Sequence, residues 1–179
     1  EIHEQPESLR QAIAGRVTRN DHIWLEELEG FAETLTRIDR VELIACGTAY
    51  YAALVGAAAI QDWIGIPARA TVGSEFRYSP PPIDERTLVI AVTQSGETAD
   101  TIAPTRLARE RGAPIIAVTN TVGSAITREA HRVLFLQAGP EIAVAASKTF
   151  VAQVTTLVIL AAAIAKARGA LGVEQEQEL

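Results

Sequence analysis

Residues 88–98 read Leu88-Val89-Ile90-Ala91-Val92-Thr93-Gln94-Ser95-Gly96-Glu97-Thr98, an apolar run that passes directly into hydroxyls, an amide and a glycine. The apolar run predicts a buried strand, and the change of residue type predicts that a helix begins after it. The first N–H groups of a helix lack partners inside it, and its dipole is positive at that end, so the turn suits an anion such as phosphate. Alternatively, Ser95 is simply the N-cap of the helix and Glu97 a favourable residue of its first turn. The local sequence leaves both interpretations open.

Length and composition predict one globular domain. The chain has 179 residues, of which 48% are hydrophobic and 21% charged, which is ordinary usage for a folded domain. The net charge of −6 and the pI near 5.1 argue against a nucleic-acid surface or a polybasic membrane patch. We therefore expect no nucleic-acid partner.

The single cysteine, Cys46, excludes an internal disulfide and fits a cytoplasmic location. The three histidines, His3, His22 and His131, lack metal-ligand spacing, so we expect no metal and no cofactor. A catalytic role for Cys46 is not expected, because no base lies near it in the sequence. The polar, acidic N-terminus does not resemble a signal peptide, and the chain has no methionine. We therefore expect a piece of a longer protein or a processed product.

The stretch from Thr149 to Ala165 contains no charged residue and approaches the ~20 residues of a membrane span. It contains Gln153, Thr155 and Thr156, and Lys148 and Lys166 flank it. We interpret it as a helix buried in a core or subunit interface, with no membrane contact.

Strands and helices are expected to alternate along most of the chain. Apolar runs predict strands at Val41–Ala45, Ala68–Val72, Thr87–Val92, Pro114–Thr119 and Val133–Gln137. Amphipathic or apolar stretches predict helices at Glu4–Val17, Asn20–Leu35, Ala49–Ile64, Thr98–Arg111 and Ala125–Glu129, and a long final helix, with Gly112 as a C-cap. This alternation predicts an α/β fold, a doubly wound five-stranded parallel sheet in the flavodoxin-like order 2-1-3-4-5. We divide the chain into a helical lead-in at 1–36, the sheet domain at 37–170 and an acidic tail at 171–179.

In that strand order, the loops after the first and third strands share one crevice. One loop is Cys46-Gly47-Thr48 and the other is Thr93–Thr98. Two hydroxyl-bearing turns would thus face one cavity at the carboxyl ends of the strands, where open α/β sheets bind ligands. This convergence favours a ligand site over capping alone.

At these residues the chain resembles the sugar isomerase (SIS) family of phosphosugar-binding domains. More narrowly, it is similar to the first SIS half of the isomerase domain in the glutamine:fructose-6-phosphate amidotransferases, the family that makes glucosamine 6-phosphate. The resemblance rests on spaced motifs in the same order: Cys46-Gly47-Thr48, Ser74–Tyr78, Gln94–Thr101, Glu141-Ile142, Val144-Ala145 and Lys148, together with the opening segment Glu1–Pro6.

The resemblance implies that the phosphate and nearby hydroxyls of fructose 6-phosphate or glucosamine 6-phosphate are held by Thr48, Thr93, Gln94, Ser95 and Thr98. It also implies substrate contacts from Gly47, Gly96, Val144, Ala146 and Ser147. Two positions depart from the family pattern, since Ala49 and Ala146 stand where serines are usual. Each lost hydrogen bond could lower affinity roughly tenfold unless Ser147 or a water substitutes.

The resemblance places the catalytic groups outside this chain. In the family, the glutaminase cysteine, the glutamate base, the histidine and the Schiff-base lysine belong to a glutaminase domain, a second SIS half and the C-terminal tail. We therefore expect no catalytic residue here, partners in those two domains of a parent chain, a homodimer, and no activity from the isolated chain. Two alternatives stay open: a non-catalytic sugar-phosphate sensor of a regulator, and a free-standing phosphosugar isomerase.

Three charged residues near the expected cavity could carry chemistry. Lys148 could form a Schiff base, but a structural role at the loop-to-helix junction is the simpler interpretation. Glu97 could act as a base, but a place in the first turn of a helix explains it more simply. Glu141 could face either the ligand or a subunit interface.

Overall fold

The computed structural model describes residues 1–17, 22–143 and 145–172, and its centre is a five-stranded parallel sheet in the order β2-β1-β3-β4-β5. The strands are β1 (Arg40–Ala45), β2 (Ala68–Val72), β3 (Thr87–Val92), β4 (Ile115–Thr119) and β5 (Arg132–Phe135). The helices are α1 (Gln5–Ile13), α2 (Ala32–Arg37), α3 (Thr48–Ile64), α4 (Gly73–Tyr78), α5 (Ala99–Glu110), α6 (Ala125–Glu129) and α7 (Lys148–Ala167), with 3₁₀ turns at Ile2–Glu4 and Glu26–Leu28. The predicted fold class and strand order are confirmed.

Strand β3 is buried along its whole length because helices cover both faces of the sheet. Ile90 and its alternate neighbours pack into a core shared with α1, α3 and α7. Val89 packs on the opposite face beside Phe76 of α4 and Ala108 of α5. This two-sided burial accounts for a continuous apolar run in place of an alternating one.

The register of the central strands brings the two predicted ligand loops together. Ala45, the last residue of β1, pairs with Val92, the last residue of β3. The next residues, Cys46 and Thr93, therefore leave the sheet side by side at its carboxyl edge.

Helix α7 carries much of the larger core. It is long and apolar enough to cross a membrane by length and composition alone, a test that buried helices of soluble proteins also pass. In this fold it packs against α3 and α1, and residues such as Leu157 and Leu160 lie in the core.

The lead-in differs from the prediction. Helix α1 ends at Ile13 rather than Val17, and Val17 instead forms an antiparallel bridge with Ile23. The helix predicted at Asn20–Leu35 is wrong over its described residues, where a 3₁₀ turn and the start of α2 stand. Residues 18–21 lie outside the described part of the chain.

The lead-in differs from the predicted helices because tertiary packing overrides local helix propensity. The buried residues Ile23, Leu25, Leu28 and Phe31 follow intervals of two and three, which suit an extended segment followed by 3₁₀ geometry. Arg16 anchors this course: its side chain is buried and donates to Glu27 at 2.9 Å and to the Phe135 carbonyl at 2.8 Å.

Smaller differences concern segment ends. Residues Gly73–Tyr78, for which no helix was predicted, form α4, and β5 ends at Phe135 rather than Gln137. Gly112 follows α5 with a φ of 85°, as expected of a C-terminal glycine. The division into 1–36, 37–170 and 171–179 stays a prediction; the lead-in shares its core with the sheet, and most of the predicted tail, residues 173–179, lies outside the described residues.

Helix α5 contains a proline that opens its backbone to α4. Pro104 cannot donate to the carbonyl of Asp100. That carbonyl instead faces Gly73, where a Cβ atom would lie 1.9 Å from its oxygen. A glycine at the start of α4 thus lets the two helices approach closely.

Candidate functional site

A cavity of about 240 Å³ lies at the carboxyl edge of the sheet, where β1 and β3 end. Three elements form its walls: the start of α3, the loop from β3 to α5, and the segment that leads into α7. It is lined by Cys46, Gly47, Thr48, Ala49, Val92, Thr93, Gln94, Ser95, Thr98, Thr101, Glu141, Ala143, Ala146 and Gln153. Its volume lies just below the roughly 300–1,000 Å³ of pockets for drug-sized ligands, so it suits a smaller molecule.

Helix α5 begins at Ala99, one residue after the predicted start, and Thr98 rather than Ser95 is its N-cap residue. The prediction of Ser95 as the N-cap is therefore wrong. The Ser95 hydroxyl accepts from the Glu97 N–H at 3.2 Å, and the Thr93 hydroxyl accepts from the Gly96 N–H at 3.3 Å. These local bonds fold residues 93–98 into a compact turn of their own, as short hydroxyl side chains do in loops.

Helix α6 fixes this turn from the side opposite the cavity. The Glu97 carboxylate accepts from the Ala125 N–H at 2.7 Å, and the Gly96 carbonyl accepts from the Ile126 N–H at 3.0 Å. Glu97 thus caps α6 and does not lie in the first turn of α5, which corrects the prediction for this residue. Two hydrogen bonds thus join the turn to the start of α6.

The cavity offers a ligand positive partial charge from two helix ends. Gly47, Thr48 and Ala49 lie at the N-terminus of α3, and Thr98 lies at that of α5. Helix N-termini bind anions through unpaired N–H groups and the helix dipole. Among the described residues that line the cavity, none is a lysine or an arginine, so an anion would be held by backbone and hydroxyl groups.

Glu141, the acidic residue of the cavity wall, caps the N-terminus of a third helix, α7. Glu141 accepts from the Ser147 N–H at 2.7 Å and the Lys148 N–H at 3.1 Å, and the Thr149 hydroxyl also donates to it. Burial raises the pKa of this carboxyl, but the bonds from Thr149, Ser147 and Lys148 outweigh it and leave the pKa below its ordinary value. Glu141 is therefore an ionised cap of α7, poorly suited to act as a general base at neutral pH.

The N-terminal residues brace the segment before α7. Glu1 accepts from the Ile142 N–H at 2.7 Å, and Glu4 forms an ion pair with the amine of Lys148. Lys148 is 3% exposed and does not line the cavity. This geometry supports the structural interpretation of Lys148 over a Schiff-base role.

The structure brings together most of the residues predicted to hold a ligand. Those lining the cavity are Thr48, Thr93, Gln94, Ser95, Thr98, Gly47 and Ala146. Gly96 instead packs on Ser124, and the Ser147 hydroxyl donates to Glu141 at 3.1 Å. Val144 lies outside the described residues.

Two further residues of the wall were missed by sequence reasoning. The Thr101 hydroxyl donates to the Cys46 sulfur at 3.7 Å. Gln153 lines the cavity from the second turn of α7; an amide inside an otherwise apolar, uncharged stretch was the signal that could have indicated it. Over the described parts of the chain, no group of three or more His, Cys, Asp or Glu residues could hold a metal ion.

Comparison with known proteins agrees with this geometry. The model of the SIS domain family matches residues 34–163, which include β1 to β5 and most of α7. The chain belongs to the SIS domain family. The matched range contains every residue described above as lining the cavity.

Curated relatives narrow the similarity to one group of SIS proteins. The chain is 45% identical to the glutamine–fructose-6-phosphate aminotransferase (isomerizing) of Clostridium tetani over 179 residues, all of this chain and 29% of that protein. It is 47% identical to the enzyme of the same name from Halobacterium salinarum over 171 residues, 96% of this chain and 28% of that protein. This SIS chain thus spans less than a third of the length of these relatives.

A solved structure matches the fold over nearly the whole chain. It is the C-terminal domain of the glucosamine–fructose-6-phosphate aminotransferase of Francisella tularensis, with a TM-score of 0.92 and 29% identity. The match covers 99% of this chain and 49% of that one. The SIS chain therefore corresponds in length to about half of that C-terminal domain.

Proposed function

We propose that this SIS chain binds the phosphate and neighbouring hydroxyls of a hexose 6-phosphate, fructose 6-phosphate or glucosamine 6-phosphate, as the N-terminal SIS half of a glutamine–fructose-6-phosphate aminotransferase. The observation that carries the proposal is the convergence of two helix N-termini and the hydroxyls of Thr48, Ser95 and Thr98 on one cavity. Identity of 45% to such an aminotransferase over the full chain supports the choice of substrate.

The helix N-termini and hydroxyl groups of the cavity wall suit the phosphate of this ligand. The N-termini of α3 and α5 supply oriented N–H groups and partial positive charge for a phosphate, at an energy of about 0.3–1 kcal/mol each. Hydroxyl donors to a charged oxygen add about 1.5–3 kcal/mol each. An acidic chain with a net charge of −6 can thus hold an anion without a lysine or arginine at the site.

In this proposal the chain anchors the substrate and other domains perform the chemistry. Glu141 caps α7, Lys148 forms an ion pair with Glu4, and the Cys46 sulfur accepts a hydrogen bond from Thr101. A glutaminase domain and a second SIS half would supply ammonia and the isomerisation groups. We expect the isolated chain to bind the sugar phosphate and to form no glucosamine 6-phosphate.

The partners would meet the chain through the outer face of α3. Tyr51, Leu54 and Val55 are 62%, 42% and 42% exposed on that helix. Exposed apolar groups in one patch are typical of surfaces that contact another domain or subunit. We assign this face to the second SIS half or to the other subunit of a homodimer.

The proposal is tested by titrating fructose 6-phosphate into the chain and into its Thr98→Val variant by calorimetry. Thr98 lines the cavity and makes no side-chain capping bond to α5, so valine removes the hydroxyl while keeping the shape. We expect the dissociation constant to rise at least roughly tenfold, from the loss of one hydrogen bond to a charged group.

Thr34→Val is the matched control, because Thr34 lies on α2 at the amino edge of the sheet, away from the cavity. It should leave the affinity unchanged. No binding by the unmodified chain, or equal affinity of the chain and Thr98→Val, would contradict the proposal.

A further inference from the structure

Gln153 is a buried amide without a hydrogen-bond partner in the described part of the chain. The residue is 1% exposed, and neither its side-chain nitrogen nor its side-chain oxygen has a hydrogen-bond partner among the described residues. Buried amides are almost always paired, because an unpaired donor or acceptor loses its bonds to water without replacement. A glutamine that the described residues leave unpaired at the wall of a cavity is therefore a candidate ligand contact.

The amide lies at the ligand cavity rather than in the middle of the core. Gln153 lines the same cavity as Thr98 and Ser95 and, like Thr101, which is also 1% exposed, it is a buried residue of the wall. It belongs to α7, whereas the anion-binding N-termini belong to α3 and α5. A ligand held by those two helices would thus meet Gln153 from a different side.

The chemistry of the amide indicates which part of a ligand it would contact. A carboxamide carries both a donor and an acceptor, and a phosphate dianion can only accept hydrogen bonds. A phosphate at Gln153 would leave the amide oxygen unpaired, and the negative phosphate oxygens would repel that oxygen. A hydroxyl both donates and accepts, so hydroxyl groups can satisfy both atoms.

We propose that Gln153 recognises the sugar hydroxyls of the bound hexose 6-phosphate, so that its amide becomes paired when the sugar enters. The inference rests on the proposed function and adds a division of labour to it: α3 and α5 hold the phosphate, and α7 reads the sugar. A site that must hydrogen-bond a substrate hydroxyl rejects ligands lacking it, because its own polar atoms then stay unpaired. Gln153 would thus make the affinity of the site higher for a sugar phosphate than for inorganic phosphate.

The test compares two ligands and the stability of the free chain in Gln153→Met, which has a similar volume and no amide. We expect the affinity for fructose 6-phosphate to fall about tenfold or more and that for inorganic phosphate to stay within twofold. We also expect the Tm of the unliganded chain to rise, since the unpaired polar atoms are gone. Gln61→Met, on the exposed face of α3, is the matched control and should change neither affinity.

Each result decides the inference. An unchanged affinity of Gln153→Met for fructose 6-phosphate, or equal losses for both ligands, would overturn it while leaving the proposed function in place. Binding of neither ligand by the unmodified chain would overturn the proposed function and this inference with it. If Gln153→Met does not fold, Gln153→Asn keeps both polar atoms but withdraws them by one methylene, and it should lower the affinity for fructose 6-phosphate alone.

Discussion

Replacing Gly96 by alanine should destabilise the fold through two separate effects. The residue has a φ of 71°, and a Cβ there would lie 2.0 Å from the Ser124 Oγ and 2.5 Å from its Cβ. The left-handed backbone alone costs an alanine about 1 kcal/mol. Moving Ser124, which is 3% exposed, also breaks its 2.8 Å bond to the Thr121 carbonyl, at a cost of about 1 kcal/mol or more. We expect a loss of about 2–4 kcal/mol in the free energy of unfolding.

Two comparisons separate the effects in urea denaturation followed by circular dichroism. Gly123 has a φ of 73° with nothing within 4 Å of its Cβ position, so Gly123→Ala should cost only the backbone term of about 1 kcal/mol. Adding Ser124→Gly to Gly96→Ala removes the clash, and the double variant should be more stable than the sum of the single changes by about 1 kcal/mol or more. Equal losses for the two alanine variants, or simple additivity, would refute the assigned clash.

Three further changes test other parts of the structure. Ala49→Ser, on the cavity wall at the second position of α3, should tighten fructose 6-phosphate binding by up to about tenfold, and Ala58→Ser on the exposed face of that helix should not; calorimetry that finds no difference between them would exclude a contact at Ala49. Arg16→Met should lower the free energy of unfolding by about 2 kcal/mol, because a buried carbonyl and the partly buried Glu27 lose their partner; an unchanged urea midpoint would speak against this anchor. Because the folded pKa of Glu141 lies below its ordinary value of 4.5, its contribution is complete above about that pH and is lost as the pH falls through the folded pKa. The Tm of Glu141→Gln should therefore vary less below pH 4.5 than that of the unmodified chain, and identical profiles would contradict the capping role.

The sheet and its ligand edge could be predicted because their signals are local and strong. A strand covered on both faces, such as Thr87–Val92, must be apolar throughout. The switch in strand order then places the loops after β1 and β3 together whatever their detailed shape. The predicted strand order alone was therefore enough to place Thr48 and Ser95 at one cavity.

The remaining features depend on contacts between residues far apart in the chain. The conformation of the segment from Ile23 to Phe31 is set by its contacts with the buried Arg16 and the core, and not by its local helical pattern. Glu97 does not serve the first turn of α5, because its carboxylate caps a different helix, α6, at Ala125, 28 positions further on. Gln153 gave a local signal, a polar residue in an apolar helix, but its position on the cavity wall required the packing of α7 to be known.

The contacts of Glu1 and Glu4 bear on how far this chain can be shortened at its N-terminus. Glu1 accepts from the backbone N–H groups of Ile142 and Ala143, and Ala143 lies on the cavity wall. A chain that starts at Gln5 would keep α1 whole and yet lose both carboxylates that support this wall. Such a shortened chain could match the fold in every spectroscopic test and still underestimate the affinity for a sugar phosphate, so domain boundaries for binding work should include the first four residues.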